Sequence, residues 1–471
     1  MRRASKILMP VLAGLIAVTG ASATAVAAAP GRLDSYYGQR PAWSGCGNGY
    51  ECAKLAVPLD YSKPGGKRIK ISMVRLPATG PKIGSIVLNF GGPGGSGVDS
   101  LKASKDVVSA DIRKRFDVVS FDPRGVGASS PVRCFGTLDL DAYFALDPTP
   151  DTKAEVKKAE SWDQAFAKYC AKNSGKELLA HVGTADSARD MDVMRAALGD
   201  RRLTYLGFSY GTYLGAVYAD LFPTRIRSMV LDGAEDPSQN GDDLVADQDR
   251  GFEVATKSFL KDCFRVKGCP FREHTVEAGM EQLDELYARA DRSPLRNEYD
   301  GRQVTEAVVS AAVDYSMYDV HTWPRLRQAL AAGFKGDGTK LLLLADEGNG
   351  RRPDGRYDNS FEALMAINCV DHPENPCPYW PVKGSRYPKK VRAKGSPPIV
   401  VVGTTRDPAT PYKLAKALAG QLEHGVLLTR DADGHTGYRR GSACLDRKVD
   451  QYLITGTAPR PGTCRDVNPK A

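Results

Sequence analysis

The chain has 471 residues, 42% hydrophobic and 26% charged, with 47 Gly, 30 Pro and 10 Cys. That length allows two or three domains, and an apolar fraction of this size excludes a chain disordered throughout. The 65 Lys+Arg against 56 Asp+Glu give a net charge of +9 with no basic block of the kind that binds nucleic acid. Beyond the N-terminus, no run approaches the roughly 18 apolar residues of a membrane-spanning helix.

The N-terminus reads as an export signal. Arg2, Arg3 and Lys6 precede the apolar stretch Ile7 to Ala21, and Ala23 to Ala29 supplies the small residues a signal peptidase needs. Cleavage near Ala27 or Ala28 is expected, with a signal peptide over 1–28 and a secreted mature chain. The alternative, a retained anchor, fits poorly with so short and Ala-rich a segment. Ten Cys, an even number, then read as five disulfides. Spacing suggests nearest neighbours: Cys46–Cys52, Cys134–Cys170, Cys263–Cys269, Cys369–Cys377 and Cys444–Cys464. No CxxC pair or His cluster suggests zinc, and neither metal nor cofactor is expected.

Short Val/Ile-rich runs alternate with amphipathic stretches along the chain. Strands are predicted at Ile69 to Val74, Ile86 to Phe90, Phe116 to Phe121, Leu203 to Leu206, Ile226 to Leu231, Ile399 to Val402 and Val426 to Leu428. The central runs are continuously apolar, as in strands buried on both faces of a parallel sheet. Ser187 to Leu198 and Tyr213 to Leu221 read as helices between them, and the alternation implies an α/β fold with a mostly parallel sheet. The pattern breaks over 236–390. Helices are predicted there at Gln248 to Phe264, Val276 to Ala290, Thr305 to Tyr315 and Phe361 to Asn368, without a strand pair. The expected organisation is a core over 29–235, a helical insertion over 236–390 and a return to the core over 391–471.

The segment Gly207-Phe208-Ser209-Tyr210-Gly211 is G-x-S-x-G, weak alone but here preceded by a strand and followed by a helix. That context makes Ser209 the candidate nucleophile on a tight turn. Gly91-Gly92-Pro93-Gly94-Gly95 follows the strand at Ile86, where a fold of this kind draws an oxyanion-hole N–H. Gly92 and Tyr210 are the candidate donors, because Pro93 has no N–H and glycine lets a substrate approach closely. A phosphate-binding reading of this loop lacks the Lys-Ser/Thr or the placed acid it would need. In this order of elements the acid and then the histidine follow the serine. Asp407 and His435 both lie in loops after predicted strands, where catalytic groups sit on open α/β sheets. Asp431 and Asp433 are so near His435 that they are expected to shape its turn. His274 and His321 lie in the insertion, where packing or surface roles are expected.

These motifs together resemble a known family, the secreted bacterial tripeptidyl aminopeptidases, serine peptidases of the α/β-hydrolase fold related to prolyl aminopeptidases. The matching pieces are Val57–Tyr61, Gly91–Gly95, Phe121–Gly127, Gly207–Thr212, Val230–Gly233, Ala366–Asp371 and Asp407-Pro408, spread over about residues 55 to 450. One departure is Gly434-His435-Thr436, where relatives commonly carry Gly-His-Gly; it touches local loop geometry alone. The resemblance implies a helical cap over the active site and release of tripeptides, in some relatives after proline, from peptides and proteins with free N-termini. An exopeptidase of this kind needs a carboxylate at a fixed distance from Ser209 to hold the substrate's ammonium. Asp371, beside the Cys369–Cys377 bridge, is the first candidate and Glu235 the second; Asp236 is also near, and Asp371 could instead cap a turn. An esterase with the same catalytic residues is the alternative, and a catalytically dead binding scaffold a more distant one. The mature chain is expected to be a monomer that binds neither nucleic acid nor membrane.

Overall fold

The computed structural model describes residues 33–372, 377–384 and 390–465. The expected signal peptide over 1–28 lies outside them. Ten strands form one sheet: β1 (Ser44–Gly45), β2 (Glu51–Pro58), β3 (Arg68–Leu76), β4 (Gly84–Asn89), β5 (Phe116–Phe121), β6 (Leu203–Phe208), β7 (Ile226–Asp232), β8 (Ile399–Arg406), β9 (Gly425–Asp433) and β10 (Gly462–Cys464). Their spatial order is β1-β2-β3-β5-β4-β6-β7-β8-β9-β10. The first four in that order pair antiparallel, and every pair from β5 to β10 is parallel.

All seven predicted strands are present, most of them longer than their apolar runs. β5 and β6 are buried at every residue. Alternate side chains of the central strands feed two cores. Val87, Val119, Tyr205, Leu231 and Val401 pack on one face, and Leu88, Val118, Leu206, Val230 and Val402 on the other. β2 escapes a sequence reading because Lys54 interrupts it and small Ala residues supply much of its apolar content. β10 has three residues and no pattern to read.

Between β7 and β8 the described chain is helical apart from isolated bridges, with helices at Gly241–Cys263, Val276–Arg292, Glu306–Met317, Trp323–Gly333, Thr339–Gly348 and Ser360–Asp371. The first five enclose a separate core around Phe259, Leu260, Leu286, Val309, Leu326 and Leu330. Helix Ser360–Asp371 instead sends Ala363, Ala366, Ile367 and Val370 into the sheet's own core. Thr339–Gly348 was not predicted, because an unbroken Leu341–Leu344 run carries no helical period. All ten cysteines are paired, in the five nearest-neighbour bridges predicted.

Arg124, in the matched stretch Phe121–Gly127, is wholly buried. Its guanidinium donates to Asp190 at 2.8 and 2.7 Å, and to the carbonyls of Leu59 (2.8 Å), His181 (2.8 Å) and Pro58 (3.0 Å). A buried pair of this kind is costly to break from one side, because the remaining charge keeps its desolvation cost. Replacing Arg124 with Met is therefore expected to lower unfolding free energy by roughly 3–5 kcal/mol in urea titration. The double variant Arg124→Met/Asp190→Leu should recover part of that loss.

Candidate active site

Ser209 occupies the turn between β6 and helix Tyr210–Leu221 with φ 53° and ψ −130°, a region L-residues avoid. The chain can turn there because its neighbours are small. A Cβ on Gly207 would lie 2.3 Å from the Gly211 carbonyl, and one on Gly91 would meet the Phe208 carbonyl at 2.6 Å and the Ser209 Cβ at 2.8 Å. Gly91, held by the Asn89 side chain (3.0 Å), thus packs directly on the serine turn. Gly92 follows, exposed, with φ 115°, while Gly91 and Pro93 are buried. Tyr210 N–H begins the helix on the other side of Ser209.

Asp407 and His435, from the loops after β8 and β9, are in direct contact. His435 Nδ1 lies 2.8 Å from Asp407 Oδ1 and 3.0 Å from Oδ2. A carboxylate can only accept, so Nδ1 carries the proton and Nε2 a lone pair. Nε2 is buried and among the described residues makes no hydrogen bond, which is what a general base requires of its accepting nitrogen. Asp407, 2% exposed, also accepts from Ala409 N (3.0 Å), Thr410 N (2.8 Å) and Thr436 N (3.0 Å). Asp431 and Asp433 point elsewhere: both bind Arg406, at 3.1 and 2.7 Å. Among the other histidines, His274 stacks on Phe264 and His321 bonds Asp319.

Several residues to which the sequence assigned no role hold this arrangement. Asp232, the last residue of β7, accepts Ser209 N–H on its backbone carbonyl at 2.9 Å. Its buried carboxylate accepts from Gly437 N (2.8 and 3.1 Å) and Tyr438 N (2.7 Å), just past His435. The next residue, Gly233, lies beside the imidazole, since a Cβ there would be 3.2 Å from His435 Cε1. One strand end therefore touches both the serine turn and the histidine loop. Arg430 holds the same loop by its carbonyls, at Asp433 (3.0 Å), Thr436 (3.4 Å) and Arg440 (2.8 Å). Tyr318 accepts His435 N–H on its carbonyl (2.8 Å) and meets the ring edge-on at 5.3 Å. Thr436, where relatives commonly have glycine, takes φ 67°. Its bonds to Asp407 and from Thr404 (2.8 Å) offset that strain. Of these, Asp232 and Gly233 left a trace in the sequence, within the matched stretch Val230–Gly233 that ends the apolar run of β7.

Three further carboxylates surround the site. Asp371, 3% exposed, ends its helix with both oxygens accepting from Thr184 N (3.0 and 3.1 Å) and one also from Thr184 Oγ1 (2.5 Å). Thr184 Oγ1 in turn bonds the Tyr210 hydroxyl. Glu235 is half-buried, and among the described residues its carboxylate makes no hydrogen bond or ion pair. Desolvation pushes Glu235 up to about 7, against the pull of His435 and with the push of Asp371, so its carboxyl is within electrostatic reach of both. Burial likewise carries Asp371 to about 7 and Asp232 to about 6. Asp236 is engaged by Ser238 and Gln421. Asp147, Asp291 and Glu306 are the one metal-capable group among the described residues, with ligand atoms within 4.8 Å, and share no residue with this site.

A mostly parallel sheet with a serine on a strained strand–helix turn, and an imidazole–carboxylate pair two strands on, defines a serine hydrolase of the α/β-hydrolase fold. The TAP-like protein family matches residues 365–464. The serine protease Hip1 of Mycobacterium tuberculosis is 37% identical over 96% of this chain and 94% of its own length. Carboxylesterase B of the same species is 35% identical (87% and 85%), and the tripeptidyl aminopeptidase of Streptomyces coelicolor 33% (88% and 83%). Among solved structures, proline iminopeptidase of Mycobacterium smegmatis aligns over 85% of this chain and 97% of its own at 14% identity and TM-score 0.42. The chain belongs to the TAP-like serine peptidases.

Asp232 should be needed for turnover although it does not face open space. Asp232→Asn keeps the volume but sets an amide against two backbone donors. It is expected to cut kcat by roughly 10²-fold, the scale of a misplacement near 1 Å, with the circular-dichroism spectrum unchanged.

Proposed function

We propose that this protein is a secreted exopeptidase that releases tripeptides, some after proline, from free N-termini through an acyl-enzyme. Ser209 attacks the scissile carbonyl while His435 Nε2 takes its proton. Asp407 keeps the imidazole in the required tautomer and stabilises the imidazolium. The N–H groups of Gly92 and Tyr210 receive the developing oxyanion, helped by the N-terminus of helix Tyr210–Leu221. His435 then returns the proton to the departing amine, and water clears the ester by the same route. The helices over 236–390 act as a cap that limits which chain ends reach Ser209. The Arg2/Arg3/Lys6 leader and the five disulfides support secretion.

The observation that carries this reading is Glu235. Its carboxylate is unpaired, half-buried and near enough to His435 and Asp371 to feel both. An ester has no use for such a group, whereas a substrate ammonium leaving water requires one. Glu235 takes the ammonium directly. Asp371, occupied by Thr184, supports Tyr210 and adds to the negative field. The 35% identity to a protein named carboxylesterase gives the second reading, an esterase using the same serine.

Ser209→Ala should lower turnover by roughly 10⁴–10⁶ without unfolding the chain. Glu235→Gln separates the two readings. The peptidase reading requires a loss of roughly 2–5 kcal/mol in kcat/KM on a free-amine tripeptide substrate and little change on its N-acylated analogue. An esterase would lose neither. Equal loss on both substrates would make Glu235 structural.

The preference for a free over a blocked N-terminus should depend on pH with a defined sign. Glu235 and Asp371, both at about 7, are protonated below that value and cannot pair with an ammonium. The kcat/KM ratio of free to blocked substrate is therefore expected to rise between pH 5.5 and 7.5. It should fall again above roughly pH 8 as the peptide α-amine deprotonates. A flat ratio across that window would remove Glu235 from substrate binding.

A further inference from the structure

A charged cleft adjoins the histidine but has no part in the chemistry above. It has a volume of about 720 Å³ and lies between the end of helix Gly241–Cys263, the segment 318–327 and the loop after β9, with Tyr318, Gly434 and His435 in its wall. Seven Lys and Arg side chains line it against four carboxylates. The carboxylates are already matched. Asp262 holds Arg327 (2.9 Å), Asp319 holds Arg440 (2.8 Å), and Asp431 and Asp433 share Arg406 (3.1 and 2.7 Å). Arg439 leans on Asp446 at 3.7 Å.

Three cations are left over. Lys261, Arg265 and Arg430 have no carboxylate within ion-pair distance among the described residues. Lys261 and Arg265 are exposed at a helix C-terminus, where the macrodipole alone would favour a positive charge. The dipole does not account for Arg430. This side chain is 5% exposed and fixed by three backbone carbonyls, and its Nε is buried without a partner. A cation held this way in the lining of the cleft, together with two exposed cations on the same lining, gives the space a standing positive field.

Acyl transfer fixes what must pass here. The proton taken by His435 returns to the leaving nitrogen, so the chain beyond the cut bond leaves within hydrogen-bond reach of the imidazole. A cleft with His435 in its wall is where that chain can lie. We propose that this cleft receives the segment of the substrate that follows the scissile bond, and that it selects carboxylates there: acidic side chains, or the terminal carboxylate of a short peptide. The proposal rests on the peptidase reading and adds to it a specificity on the leaving side, separate from the ammonium site at Glu235. The two sites have opposite signs, so they favour a peptide with its positive end before the cut and negative charge after it.

The test uses the full mature chain and hexapeptides with one common N-terminal tripeptide, followed by Asp, Ala or Lys at the next two positions, each as a C-terminal amide or free acid. Cleavage is followed by mass spectrometry, and kcat/KM is compared within pairs. At low ionic strength the Asp peptide should exceed the Lys peptide by roughly three- to tenfold, the scale of one or two partly exposed charge pairs. That ratio should shrink in 0.5 M salt as screening shortens the field. Free acid over amide in the Ala series reads the terminal carboxylate, and Asp over Ala among the amides reads side chains. Lys261→Glu/Arg265→Glu should bring the Asp-to-Lys ratio to one or below. Equal kcat/KM for Asp and Lys peptides in the native chain, or a ratio unmoved by the double reversal, overturns the proposal. If no peptide is cut while an ester of the same tripeptide is hydrolysed, the peptidase reading itself has failed and the leaving-side proposal falls with it.

Discussion

Asp232 joins the two halves of the site at the end of β7. Its carbonyl holds the amide of Ser209, and its carboxylate holds the amides of Gly437 and Tyr438 beyond His435. Backbone amides do not titrate and have few alternative geometries, so a loop anchored through them is fixed more firmly than one held by side chains on its surface. β7 lies between β6, which ends at the serine, and β8, which ends at Asp407. A single buried acid at that position ties the serine turn to the histidine loop. Arg430 completes the clamp from the opposite side by taking the loop's carbonyls. The histidine is thus positioned by the sheet beneath it, with the carbonyl and ring of Tyr318 added from the helical segment between β7 and β8.

The neighbourhood concentrates negative charge in a place poor in water. Asp232, Asp407, Glu235 and Asp371 all lie within or beside it, and desolvation raises three of them above the usual carboxylate range. Burial of an acid is tolerated where backbone amides or hydroxyls take up its lone pairs, as at Asp232, Asp407 and Asp371. Glu235 has no such compensation. A half-buried acid left without a partner costs stability, and a binding site for a cation is a physical reason to keep one.

Relatives named as a protease, a carboxylesterase and an aminopeptidase match this chain at similar identity. That spread follows from the division of labour in the fold. A serine, a histidine and oxyanion donors act on any acyl carbonyl, and in this fold such groups sit at strand ends whose geometry the sheet sets. Substrate choice belongs to groups around them, and in the reading proposed above these are Glu235 and the cationic cleft beside His435. These come from the helices between β7 and β8 and from loops, where a single side chain can change without disturbing the sheet.

The strand–helix alternation, the G-x-S-x-G turn and the loops of Asp407 and His435 were legible in the sequence because each depends on local chemistry. Continuous apolar runs make buried strands, glycines permit a tight turn, and an acid or histidine just after a strand arrives at the same edge of a parallel sheet. The cysteine pairs followed from spacing for a similar reason, since near neighbours in the chain remain near in space. Long-range partnership was invisible. Nothing local distinguishes Asp371, spent on Thr184, from Glu235, left open beside His435, because burial and bonding partners are set by residues 187 positions away. The same holds for Asp232 with Gly437, for Tyr318 with His435, and for the three cations that remain after every carboxylate in the cleft is matched. Sequence determined which groups could do chemistry; the tertiary structure decided which of them are free to do it, because freedom is what remains after packing has assigned a partner to the rest.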